Sequence, residues 1–98
     1  MDATIQEIKE REAAGKEDYV LLDVREGYER DEFNIGGIHI PLGELTASFD
    51  KLISHKDSEL VVYCRSGKRS AMAAQLLGQA GFSNVRNLEG GMIKWQAS

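Results

Sequence analysis

Hydrophobic positions along this 98-residue chain recur at two periods, and the switches between them mark its elements. Thr4 followed by Glu7 reads as a capping box that opens a helix through about Ala14, with Ile5 and Ile8 facing inward and Gly15 as the stop. Tyr19–Val24 is a continuous β-rich apolar run, the pattern of a strand covered on both faces. A short polar helix is predicted over Gly27–Glu32. Ile38–Ile40 reads as a short strand halted by Pro41, the one proline. Leu45–Ile53 is expected to be helical, burying Leu45, Phe49, Leu52 and Ile53. Leu60–Tyr63 is a second buried strand, and Ser70–Gln79 a helix ended by Gly81, with Met72, Leu76 and Leu77 as core packing. Asn84–Leu88 and Met92–Trp95 add a third short strand and a last helical turn, with Trp95 as a lid on the core.

Apolar strands alternating with helices across short connections imply an α/β fold, a parallel sheet with helices on both faces. No repeat, low-complexity stretch or linker divides the chain, so a single domain over residues 1–98 is expected. Such a domain buries roughly 60–65% of its unfolded surface and folds without a disulfide or structural metal. One cysteine excludes an internal disulfide and any multi-cysteine zinc or iron–sulfur site. His39 and His55 stand sixteen residues apart without a ligand partner at helical spacing, so no metal site is expected. No long apolar run and no basic-then-apolar leader is present, which points to a soluble, reducing, cytoplasmic setting with no membrane partner.

Net charge is −4, which argues against a broad nucleic-acid-binding face. Its distribution says more. Residues 1–50 carry −8 and residues 51–98 carry +4, and Arg65, Lys68 and Arg69 lie within five positions of the only cysteine, Cys64. Cys64 falls directly after one strand and before a helix, where open parallel sheets place their chemistry. In the loop Cys64-Arg65-Ser66-Gly67-Lys68-Arg69-Ser70, backbone N–H groups can turn toward one point, Gly67 allows an unusual backbone angle, and Ser70 is a good N-cap. A thiolate there would meet N–H donors, the positive helix end and three cations, the surroundings that make a cysteine reactive. A lone cysteine at a strand end can also be plain packing, but the whole strand–loop–helix context weighs against that.

At these residues the chain resembles the rhodanese family, specifically its single-domain members. Leu21-Leu22-Asp23-Val24-Arg25, followed by Glu26-Gly27-Tyr28-Glu29, is similar to the family's strand ending in Asp-x-Arg and its acidic, Tyr-containing segment. Gly36–Pro41 is similar to its Gly-x-x-x-Ile-Pro passage, Cys64–Arg69 to the six-residue cradle of active members, and Leu88-Glu89-Gly90-Gly91 with Trp95 to its Gly-Gly-x-x-x-Trp terminus. Where the family commonly has His-Ile-Pro-Gly-Ala, Phe33-Asn34-Ile35-Gly36-Gly37 stands here, a segment that supports the fold. The chain ends three residues after Trp95, earlier than many members, as a trimmed protein or a module of a longer one would.

The resemblance implies a sulfurtransferase with Cys64 as the nucleophile that carries a persulfide. Arg65, Ser66, Gly67, Lys68, Arg69 and Ser70 would bind the substrate. Asp23 and Arg25 would support the site, in a role that is architectural before it is catalytic. The expected partners are a small anionic sulfur donor, such as thiosulfate, and a thiol or sulfur-carrier acceptor, with no cofactor required. Two rivals remain. A cysteine phosphatase needs a wider ring around phosphate than the four residues between Cys64 and Arg69 provide, and a non-catalytic binding module would typically lack the cysteine.

Overall fold

The computed structural model describes residues 2–98. Four parallel strands form one sheet: β1 (Val20–Asp23), β2 (Ile38–His39), β3 (Glu59–Tyr63) and β4 (Asn84–Asn87), in the order β2-β1-β3-β4. Leu22 pairs with Ile38 and Val62, and Val62 with Asn87, so the apolar strands β1 and β3 occupy the centre. Leu22 and Leu60–Tyr63 are buried from both sides, as unbroken apolar runs require.

Helices α1 (Ile5–Ala13) and α4 (Gly91–Ala97) cover one face, with Ile5, Ile8, Val61, Tyr63, Leu88 and Met92 between the layers and Trp95 packed against them. The other face carries α3 (Lys68–Gln79) and a ten-residue 3-10 segment, Thr46–His55, over Leu22, Val24, Leu60 and Val62. A six-residue helix, α2 (Gly27–Glu32), follows β1. The expected architecture of helices on both faces of a parallel sheet therefore holds. No helix among the described residues is long and apolar enough to cross a membrane.

Four local expectations need correction. The segment expected as an α-helix over Leu45–Ile53 is 3-10, and with three residues per turn Ala47, Asp50 and Ile53 share one line. That line faces solvent, so Ile53 is 57% exposed while Leu45 and Leu52 are buried. Met72 is exposed too, because the inward stripe of α3 runs through Ser70, Ala73 and Leu77, and Met72 sits on the far side. Ser70 is not an N-cap. The helix starts at Lys68, and the cap is Gly67 in the left-handed conformation (φ 101°). At the N-terminus Thr4 caps α1 by accepting from Glu7 N–H, while the Glu7 carboxylate turns away to Arg86, so the box is half made.

Candidate functional site

Parallel register sets the carboxyl ends of β1 and β3 side by side, because Asp23 pairs with Tyr63. Cys64 is the next residue along β3, and it lies at the floor of a loop that turns directly into α3. Gly67 makes that turn possible, since an L side chain rarely adopts its positive φ. The turn brings Gly67 N–H to 3.1 Å and Ser70 N–H to 3.3 Å from Cys64 Sγ. Ser70, in the first turn of α3, places its Oγ 3.3 Å from the same sulfur. The helix start is therefore spent on the thiol.

Cys64 has no accessible surface at rest. Burial opposes a thiolate, but the hydrogen bonds offered by the Ser70 side chain and by the loop N–H groups outweigh it and hold the thiol below its ordinary value. The loop is fixed from the far side by α4. Met92 N–H donates to the Cys64 carbonyl (2.9 Å) and Ile93 N–H to that of Arg65 (3.0 Å). Gly91 is obligatory at this junction, because a Cβ there would collide with both carbonyl oxygens.

The loop cations divide into two kinds. Arg65 and Lys68 are exposed and enter no ion pair among the described residues. Arg69 is committed to Glu29 of α2 by a bidentate pair (2.7 and 2.8 Å). This pair lowers the Glu29 carboxyl to about 2. Ser66 is exposed on the outside of the loop. Beside the loop, a cleft of about 460 Å³ is walled by Tyr28, Glu29, Phe33, Arg65, Met92 and Ile93.

Asp23 and Arg25 stand at the end of β1, both buried. Asp23 accepts from Arg25 Nε and Nη2 at 2.9 Å, and Arg25 Nη2 also donates to the Phe33 carbonyl at 2.7 Å. Burial disfavours the Asp23 charge, yet the Arg25 hydrogen bonds outweigh it and keep the carboxyl below its usual value. The pair fastens the segment after β1 to the sheet edge and makes no hydrogen bond to Cys64. His39 donates through Nε2–H to the Arg25 carbonyl (2.8 Å), a structural bond.

Two residues of the site were not singled out in the sequence. Glu29 belongs to the acidic segment after Arg25, but nothing in its spacing pairs it with Arg69 forty positions away. Asn87 ends β4 and accepts the Ser70 hydroxyl through Oδ1; no sequence signal marks it.

The sequence model of the rhodanese-like domain matches residues 4–98. YtwF of Bacillus subtilis, which carries the name of a sulfurtransferase, is 41% identical over 90 residues, covering 91% of this chain and 84% of that protein. YrkF of the same organism, which carries the name of a sulfur carrier protein, is 41% identical over 76 residues; the match takes in 76% of this chain and only 40% of YrkF. Among solved structures, the human single-domain sulfurtransferase TSTD1 superposes with a TM-score of 0.81 at 30% identity, covering 99% of this chain and 96% of that one.

Proposed function

The chain belongs to the rhodanese family of sulfurtransferases, and on that premise we propose that it moves a sulfane sulfur through a persulfide on Cys64. The observation that carries this reading is the convergence of Gly67 N–H, Ser70 N–H and Ser70 Oγ on one sulfur. The two N–H donors, fixed before the reaction, stabilise charge at that point without reorganisation, and the serine oxygen lies within hydrogen-bond reach of the same sulfur.

In the first half-reaction the Cys64 thiolate attacks the outer sulfur of thiosulfate or a related anionic donor. A new S–S bond forms at Cys64, the donor's own S–S bond breaks, and sulfite leaves with the electron pair. In the second, a thiophilic acceptor, cyanide in an assay or a thiol in the cell, attacks the outer sulfur and the Cys64 thiolate is regenerated. No external base is needed if the cradle already favours the thiolate. Because the resting thiol is covered, the loop over it, Arg65–Lys68, has to move far enough to admit one sulfur atom. Arg65 and Lys68, free of counter-ions, would draw a dianion toward the loop.

The phosphatase alternative fares worse on the same geometry. Its phosphate would need a free arginine at the end of the loop, whereas Arg69 is bound to Glu29. A binding module gives no account of two N–H groups and a serine oxygen converging on a buried thiol. Steady-state kinetics of thiosulfate:cyanide transfer test the proposal. Parallel double-reciprocal lines are expected for two half-reactions through a covalent intermediate; intersecting lines, or no transfer, would overturn it.

A further inference from the structure

Ser70 has one hydroxyl proton and two neighbours competing for it. In the resting structure Ser70 Oγ donates to Asn87 Oδ1 at the end of β4, and Cys64 Sγ lies 3.3 Å from the same oxygen. With the proton committed to Asn87, Ser70 Oγ can only accept from the Cys64 S–H, which suits the thiol and not the thiolate. When Cys64 loses its proton to solvent, the hydroxyl must turn to serve the sulfur, and the Asn87 oxygen loses its donor. An asparagine amide resolves this conflict, because half a turn of its end replaces an acceptor by an N–H donor.

We propose that Asn87 is a positioning residue whose amide turns when Cys64 ionises, so that Nδ2–H donates to Ser70 Oγ and Ser70 O–H donates to the sulfur. The chain Asn87–Ser70–Cys64 supplies the third donor of the cradle only in the charged state; the Gly67 and Ser70 N–H groups supply the other two in both states. Ser70 is fully buried, so water does not replace Asn87 as its partner without cost. The charged groups on the surrounding elements are Arg65, Lys68 and Arg69 on the loop and α3, Glu29 of α2 paired with Arg69, the Asp23–Arg25 pair at the end of β1, and Glu89 between β4 and α4. None of them hydrogen-bonds Ser70 or Asn87 side chains among the described residues, so the relay can be perturbed separately from them.

The inference rests on Cys64 as the reacting thiol, but its test uses the resting protein without a sulfur donor, so a failed relay and a failed sulfur transfer are separate results. The single cysteine allows thiolate absorbance near 240 nm to be followed against pH, with Cys64→Ser as the blank. Asn87→Asp offers only acceptors, holds the Ser70 proton, and should raise the thiol midpoint by about one pH unit. In Ser70→Ala the added Asn87→Asp change should shift the midpoint by less than half as much. No shift from Asn87→Asp, or a shift more than half retained without the hydroxyl, would overturn the relay. If Asn87→Asp does not fold, the wild-type side-chain amide resonances of Asn87 decide. They should move with the thiol midpoint and become pH-independent in Ser70→Ala; pH-independence in the wild type, or equal movement in Ser70→Ala, would refute the proposal.

Discussion

The two ends of the sheet use arginine in opposite ways. At the amino end of β3, Arg11 and Arg86 both grip Glu59, Arg86 also takes Glu7 through two bonds, and Arg11 reaches Asp18. Both arginines there are neutralised by carboxylates, and the cluster ties α1 to the sheet. At the carboxyl ends, Arg69 is paired with Glu29, and Arg25 and Arg30 with Asp23, while Arg65 and Lys68 beside Cys64 enter no ion pair among the described residues. Charge that is already neutralised builds a scaffold, and charge left open is available to a substrate. The thiol belongs to the second kind, since two backbone N–H donors and a serine oxygen meet it and no carboxylate hydrogen-bonds it among the described residues.

The largest effect that would sharpen this contrast is loss of the nucleophile. Cys64→Ser should fold normally, because it fits the same cradle, and should reduce thiosulfate:cyanide transfer to background, because a serine hydroxyl stays un-ionised. Circular dichroism and the transfer assay check both halves. Next comes Ser70→Ala. A hydrogen bond to a charged group is worth about 1.5–3 kcal/mol, so the thiol midpoint should rise by about one pH unit or more, and activity at neutral pH should fall about tenfold or more. A thiolate titration beside a pH–rate profile measures it.

Smaller changes are expected from the open cations. Arg65→Ala or Lys68→Ala should raise the thiosulfate KM several-fold, with about 1 kcal/mol per exposed charge pair, and flatten its dependence on salt. Alkylation of Cys64 by neutral iodoacetamide should change much less. An unchanged KM and salt dependence would show that the loop backbone recruits the donor alone. At the other end of the sheet, Arg86→Ala should lower the melting temperature and leave the thiol midpoint and KM where they were, which is the contrast in its sharpest form.

Acid should separate the two ends less cleanly. Glu7 and Glu59 are held below their ordinary value, first of all by hydrogen bonds from Arg86 and Arg11 respectively, and Glu29 is lowered to about 2 by Arg69. A depressed carboxyl stabilises the fold above its unfolded value near 4.5, and that stability is lost as pH falls below it. Unfolding between pH about 4.5 and 2 should therefore be shallower in Glu29→Gln than in the parent, as thermal melts across that range would record.

The strands and α2 were legible because β-rich apolar runs and a polar break leave unambiguous patterns, and α2 spans Gly27–Glu32 as expected. Cys64, the loop and its position after β3 were legible for the same reason. What periodicity could not supply was pitch and partnership. The run over residues 45–53 fits an α-helix until three residues per turn put Ile53 outside. Ser70 looks like a cap until Gly67 starts the helix early and turns the serine inward onto the sulfur. Glu29 and Asn87 reach the site from 40 and 17 residues away, a juxtaposition made by folding alone.

Intact-mass measurement after thiosulfate treatment tests most directly whether Cys64 carries a sulfur. The protein should gain the mass of one sulfur atom, lose it on treatment with a reducing thiol or cyanide, and gain nothing as the Cys64→Ser variant. A parent protein whose mass is unchanged, or a serine variant that takes up the same sulfur, would contradict it.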